Sequence, residues 1–344
     1  MNSIQELQTL ILKGESDWLK YGDVRVSQRG DLLQFTYTKA AQYNARWNWF
    51  ERVSRGLIIN VETGEVAARP FDKFFNWSEG GRKSRAHIVD ITEKLDGSLG
   101  ILYREHDVYR IATRGNFESE QALWAAEFLN RNYNLADLDP DLTLLFEIIY
   151  PENRIVVDYS GREDLVLIGV RNRHTGDEQP FYPDMYELAE RFGFSLPQVY
   201  HFNSITDILA ATDDLDANSE GWVIRFADGQ RFKIKGDRYV ELHRLVTQAT
   251  FNQVLKATAS GQLEMMIADV PDEFLSEIKI WQAEIAAKVE EVKARVELAF
   301  SQAPTEDRKT FALWVREHHP SDAHYLFATL DGRDITDLIY KSEF

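Results

Sequence analysis

The chain has 344 residues, 44% hydrophobic and 28% charged, a globular composition with enough apolar material for a core and a second domain. Its 39 Lys+Arg against 56 Asp+Glu give a formal charge of −17, the opposite of the basic footprint of a protein that holds nucleic acid by bulk electrostatics. The absence of cysteine excludes disulfides, thiolate zinc sites and cysteine nucleophiles, and the lack of both a run of ~18 apolar residues and a signal-peptide pattern leads us to expect a soluble intracellular protein with no membrane partner.

The first two thirds read as strands and hairpins with helices inserted between them. Helices are expected over 4–13, 118–130, 184–192 and 205–211. Strands are expected within 31–38, 56–71, 99–115, 143–150, 164–170 and 222–236, where β-branched and aromatic residues alternate with turn signals. In two of these, Thr63-Gly64 and Asp228-Gly229 stand between short apolar runs, the chemistry of a tight hairpin. An α+β domain of antiparallel sheets follows. After about Leu245 the strand pattern stops. Phe274, Ile278, Trp281, Ile285, Val289, Val292, Val296 and Phe300 then recur at steps of three and four, drawing one stripe along a long helix. Further helix is expected over 308–317 and at the C-terminus. The change of period divides the chain into residues 1–243 and a mainly helical domain, 244–344.

The segment Glu93-Lys94-Leu95-Asp96-Gly97-Ser98 lies between the strand-like run 87–91 and another strand. A lysine before a small turn presents an amine to a ligand, and the glycine lets backbone come close. Alone, this is equally a surface hairpin with a solvated lysine. It stands, however, in a series: Ser54-Arg55-Gly56, the run Arg69-Pro70-Phe71-Asp72-Lys73-Phe74-Phe75-Asn76, Arg114-Gly115 with Ser119-Glu120-Gln121, Glu147 within LFEIIYPENRIVVDY, Ser219-Glu220-Gly221-Trp222, and Phe232-Lys233-Ile234-Lys235-Gly236-Asp237.

In this order the series resembles the KxDG nucleotidyl-lysine motifs of ATP-dependent ligases and RNA capping enzymes, and specifically the RNA ligase 1 family of T-even phages, over roughly residues 55–243. The resemblance implies an antiparallel-sheet nucleotidyltransferase domain of the ATP-grasp-like ligase type and an ATP-dependent RNA ligase in which Lys94 carries AMP. It implies nucleotide contacts from Arg55, Lys73, Glu93, Lys94, Asp96, Gly97, Arg114, Glu147, Glu220, Lys233 and Lys235, with Asp96 on the AMP ribose. Glu147 and Glu220 are the expected metal-side carboxylates, acting through water. The implied cofactors are ATP and Mg2+, which Mn2+ can replace. The implied partner is RNA with 5′-phosphate and 3′-hydroxyl ends, tRNA among the candidates, in RNA repair in the cytoplasm, the host's if the chain is phage-encoded. Arg114 stands where the family commonly has lysine.

Chemistry explains why these residue types belong together. A lysine amine with a pKa of ~10.4 is protonated and cannot attack phosphorus, so cationic neighbours or desolvation must lower that value. Lys233 and Lys235, alternating with Phe232 and Ile234, share one face of a strand and are the expected source of that push. Arg55 and Lys73 offer a planar fork and a point charge for the β- and γ-phosphates. Lys73 would reach out from a patch of Phe71, Phe74 and Phe75, one of which belongs in the core.

Other features are set aside or left open. His318-His319 lacks companion ligands at metal spacing and reads as a solvated pair. Tyr43, Trp47, Trp49 and Phe50 read as core rather than as a base-stacking platform. The basic stretch 80–85 is either a solvated loop or part of an RNA path. A DNA ligase or GTP-dependent capping enzyme shares the lysine motif, but those families follow the last motif with a small β-barrel, whereas a helical period follows here. An inactive nucleotide- or RNA-binding regulator is the alternative of another class, against which the intact Lys94, carboxylates and paired lysines speak.

Overall fold

Among the described residues, twelve strands in three four-stranded sheets carry the site. The first sheet contains β1 (Val24–Arg29), β2 (Leu32–Tyr37), β3 (Arg55–Asn60) and β4 (Val66–Ala68), hydrogen-bonded in that order. The short β5 (Phe75–Asn76) and β6 (Ile88–Glu93) follow, then β7 (Ser98–Glu105), β8 (Val108–Thr113), β9 (Leu142–Ile149) and β10 (Asp164–Asn172), and finally β11 (Gly221–Phe226) and β12 (Arg231–Lys235). The second sheet has the order β10-β9-β7-β8 and the third β5-β12-β11-β6. Neighbours pair antiparallel except β5 with β12, which is parallel. This computed structural model describes residues 1–79, 83–216, 218–247, 250–267, 270 and 274–344; the first half of the basic 80–85 stretch, residues 80–82, therefore lies outside the described residues.

Apolar runs without alternation mark strands covered on both faces. In β3, Leu57 and Ile59 join Ile4, Leu7 and Phe35 on one side, while Ile58 joins Phe71, Ile101 and Leu145 on the other, between the first and second sheets. In β9, Leu144, Phe146 and Ile148 face a cluster completed by Ala125 and Leu129 of helix Glu120–Asn132 and Ala189 of helix Tyr186–Phe192. The third sheet is half-covered: Phe232 and Ile234 of β12 are buried with Trp222, Ile224 and Ile208 of helix Ile205–Thr212, leaving Arg231, Lys233 and Lys235 on the opposite face. Phe71 is the core member of its phenylalanine patch.

Two compact units are present, Met1–Val246 and Thr247–Phe344. The expected boundary at 243/244 falls inside helix Asp237–Thr247. In the second unit, helix Leu275–Gln302 presents Val289, Val292, Val296 and Ala299 to Phe311, Val315, Leu326 and Ile339 of the helices that follow. The stripe read from the sequence is its buried face, except that Trp281 and Phe300 are partly exposed. His318 stacks on Trp314 with ring centroids 5.1 Å apart, and its Nδ1 lies 2.9 Å from the Trp314 carbonyl, a local packing contact.

Candidate active site

Lys94 leaves β6 at the point where β11 begins. Its N–H donates to the Gly221 carbonyl at 2.8 Å, tying the lysine loop to the start of β11. Gly221 has φ 138° and a Cβ there would stand 2.0 Å from the Ile234 carbonyl, so only glycine fits. Gly97 is equally constrained, since a Cβ would meet the Ile148 carbonyl at 2.5 Å. The glycines of two separate motifs thus exist for backbone approach, and that approach brings Lys94, Glu147 and Glu220 together.

Glu220 is 4% exposed and lies between two ammonium groups, with Oε2 2.8 Å from Lys94 Nζ and Oε1 3.1 Å from Lys235 Nζ. Burial alone would push its carboxyl up; the charges of Lys94 and Lys235 outweigh burial and hold it below the ordinary range. The sequence led us to expect cations as the close neighbours of Lys94; the contact group is instead this carboxylate, because a buried carboxylate beside two lysines is tolerated only when paired with them. Lys233 shares the polar face of β12 with Lys235 and stands opposite Asn76 in the parallel pairing with β5. Glu93, the last residue of β6, stands opposite Trp222 and donates its N–H to the Gln198 carbonyl.

Glu147 faces the Gly97 turn from β9, where burial pushes its carboxyl up to about 7, with the charge of Lys94 opposing, Glu220 and Asp96 adding to the rise, and Arg55 opposing.

Asp96 differs from expectation. Its Oδ2 accepts the N–H groups of Val156 and Val157, each at 2.8 Å, and its Oδ1 accepts the Tyr239 hydroxyl at 2.9 Å, while its own N–H donates to the Tyr159 oxygen at 2.7 Å. At 3% exposed with both oxygens engaged, it organises the lysine loop rather than presenting a free carboxylate to a ribose.

A second group surrounds Lys73, which is 8% exposed. Its Nζ lies 5.1 Å from the Trp47 ring centroid, 5.5 Å from Phe75 and 5.6 Å from Tyr37, three aromatic faces around one ammonium. Arg114 lies over the Tyr37 ring at 4.9 Å and donates to its hydroxyl at 2.8 Å. Arg55 opens β3, lies over Phe74 at 5.3 Å and contributes charge at Glu147, so it links the two groups. Trp47 adopts φ 42°, the left-handed region that an indole-bearing residue enters only when its surroundings hold it there. The aromatic quartet of the sequence reading therefore splits: Phe50 is fully buried, Trp49 packs beside it, and Trp47 belongs to the site.

The sequence profile of the T4 RNA ligase 1-type family of RNA ligases matches residues 53–239, more than half of the chain. The chain belongs to this family. Three curated relatives are similar to it. A "Putative bifunctional polynucleotide kinase/RNA ligase" of Autographa californica nuclear polyhedrosis virus is 28% identical over 64% of this chain and 34% of its own length. A "Putative RNA ligase" of Thermovibrio ammonificans is 29% identical over 65% of this chain and 61% of its own. An "RNA ligase" of Rhodothermus phage RM378 is 23% identical over 94% of this chain and 90% of its own. The chain thus spans about a third and three fifths of the length of the first two. The matched region holds every candidate site residue from Arg55 to Lys235 and also Tyr239. The residues the sequence reading missed, Tyr37, Trp47, Tyr159 and Tyr239, are all aromatic. Three of them carried a signal: Tyr159 closes the LFEIIYPENRIVVDY segment, Trp47 stood in the aromatic quartet read as core, and Tyr239 lies two residues beyond the Lys235-Gly236-Asp237 motif.

Proposed function

We propose that the protein is an ATP-dependent RNA ligase that joins 5′-phosphate and 3′-hydroxyl RNA ends through lysyl-AMP on Lys94 and an adenylylated RNA. The observation that carries this reading is the Lys94 amine held 2.8 Å from Glu220, with Glu147 and Lys235 in the same cluster. An amine placed among carboxylates and cations, with glycine-lined backbone beside it, suits attack on a phosphorus whose charge must be neutralised as it develops.

Nζ, once deprotonated, attacks the α-phosphorus of ATP; the P–N bond forms and the bond to pyrophosphate breaks. The oxygen of an RNA 5′-phosphate then attacks the same phosphorus and Nζ leaves. Last, a 3′-hydroxyl attacks the activated 5′-phosphorus, its proton is lost, and AMP departs. Lys233 and Lys235 face the α-phosphate, Arg55 and Lys73 the β- and γ-phosphates, and Arg114 orients Tyr37 beside Lys73. Glu93 and Gly97 border the nucleotide, and Asp96 fixes the loop.

The donor set fits a divalent cation: Glu147 and Glu220 lie close enough for one charge to raise the other's carboxyl. Among the described residues no group of three metal-ligand side chains gathers, so such a cation would keep water and phosphate oxygens as ligands. When bound, Mg2+ would supply charge neutralisation at the phosphate. The substrate in this reading is broken RNA, tRNA included, and the role RNA repair in a cytoplasm. The helical second unit would select the RNA.

Incubation with ATP radiolabelled on its α-phosphate, then with 5′-phosphorylated RNA or DNA, tests the proposal. Covalent label on the wild type, none on Lys94→Ala or Lys94→Arg, and transfer to RNA are expected. Label retained by Lys94→Ala would remove the nucleophile; label from GTP, or none, would favour a capping enzyme or an inactive binder.

A further inference from the structure

The cleft continues beyond Lys73 into a cavity of about 550 Å³, within the size range of small-ligand sites. Lys73, Phe74 and Phe75 line it and also belong to the groups around the phosphate cations. Arg231, Arg171 and Arg52 join Lys73 in supplying its positive charge, against the carboxylates of Asp72, Glu79 and Glu178 in the same lining. Arg231 lies on the same face of β12 as Lys233 and Lys235, so a row of cations at two-residue steps leads from the Lys94 cluster to the cavity. Its guanidinium sits 3.9 Å over the Phe71 ring and pairs with both oxygens of Glu178, at 3.0 and 2.8 Å. Arg171 pairs with Asp72 at 2.8 Å. Arg52, exposed on helix Trp49–Val53, has no carboxylate within 4.0 Å among the described residues. The Asn48/Glu51 capping box fixes that short helix, and the Arg52 carbonyl accepts the Lys73 N–H at 2.8 Å, so the two cations are anchored to each other through backbone.

In-line displacement says what should enter this cavity, given the ligase reading above. Pyrophosphate leaves the α-phosphorus from the side opposite Lys94 Nζ. In the next step the P–N bond breaks, Nζ departing with the electron pair and taking up a proton, while a bond forms to an oxygen of the RNA 5′-phosphate. That oxygen must enter opposite Nζ, on the side pyrophosphate vacated, where Arg55 and Lys73 stand. The strand attached to the 5′-phosphate is thereby directed past Lys73. We infer that the cavity lined by Phe74, Phe75, Arg52 and Arg231 is the subsite for the 5′-terminal nucleotide of the phosphorylated RNA strand, with Arg52 meeting its following phosphodiester. Aromatic walls suit a base, mixed carboxylates and guanidiniums suit its polar edge, and an exposed arginine without a carboxylate suits a phosphate at the mouth.

Arg52→Glu is the test, because the side chain is exposed and its reversal leaves the fold intact; Arg231→Gln is the companion. Single-turnover AMP transfer from isolated lysyl-enzyme to 5′-phosphorylated RNA should need on the order of tenfold more RNA in Arg52→Glu, while lysyl-AMP formation from ATP stays within about twofold of wild type. Equal losses in both steps, or unchanged RNA dependence in a folded Arg52→Glu protein, would overturn the assignment. Equilibrium binding of a fluorescent 5′-phosphorylated oligoribonucleotide separates this idea from the ligase reading, since it requires no chemistry. Affinity lost in Arg52→Glu supports the subsite even if no lysyl-AMP ever forms; affinity unchanged there overturns it.

Discussion

Lys235 and Lys73 are two largely buried cations of one nucleotide cleft, and the described groups around them differ in kind. Lys235 is paired with a carboxylate it shares with Lys94, whereas Lys73 is surrounded by the rings of Trp47, Phe75 and Tyr37. A carboxylate bridge ties each partner's charge to the other; aromatic faces orient an ammonium by its attraction to the ring quadrupole. The Glu220 cluster should therefore be sensitive in folding and the Lys73 cage sensitive mainly in nucleotide binding.

Removing the shared carboxylate should have the largest effect. Glu220→Gln leaves two lysines without their common partner and should cost about 3 kcal/mol in denaturant unfolding at neutral pH. Because the folded carboxyl lies below its ordinary value, its contribution is present above the unfolded pKa and is lost as pH falls through the folded value. The gap between wild type and variant should close on acidification below the ordinary carboxylate range. A gap constant with pH would mean that Glu220 is held by packing alone.

Methionine in place of each lysine sharpens the contrast. Lys235→Met removes one partner of a buried carboxylate, whereas Lys73→Met places a thioether among aromatic rings. Lys73→Met should raise KM for ATP in lysyl-AMP formation by tenfold or more. Lys235→Met should be clearly the less stable of the two. Equal stability losses would break the distinction.

Glu147 has a raised carboxyl, so the sign reverses. Its stabilising contribution is present below about 4.5 and lost as pH rises through about 7. Glu147→Gln should therefore gain Tm over wild type as pH is raised across that window, by a few degrees at its upper end, although sealing of RNA is impaired. No pH dependence in the Tm difference would place the carboxylate in water.

The smallest expected effect is at Trp47. Trp47→Ala should loosen the cage by about 1 kcal/mol and raise KM for ATP several-fold, with Trp47→Phe close to wild type. Trp47→Gly removes the same ring but relieves the left-handed backbone, so it should melt no lower than Trp47→Ala. A Gly variant less stable than the Ala variant would contradict that strain.

The sequence by itself determined most of the strands, the long helix and the order of the motifs, because apolar periodicity and turn residues act over a few positions; β1 and the two-residue β5 it did not mark. It also determined that Lys233 and Lys235 share a face, which follows from the period of a strand. It did not reveal that Glu220 bridges Lys94 and Lys235, nor that Asp96 is claimed by Tyr239 and by the Val156 and Val157 amides; apart from Lys235–Glu220, these contacts join residues 60 or more positions apart. The short helices Lys39–Asn44 and Trp49–Val53 were also illegible, their aromatic residues obscuring any period. The aromatic residues explain why: an indole in sequence reads the same whether it fills a core, as Trp18 does, or walls an ammonium, as Trp47 does. Local pattern records only that such a side chain must be covered; tertiary structure decides what covers it.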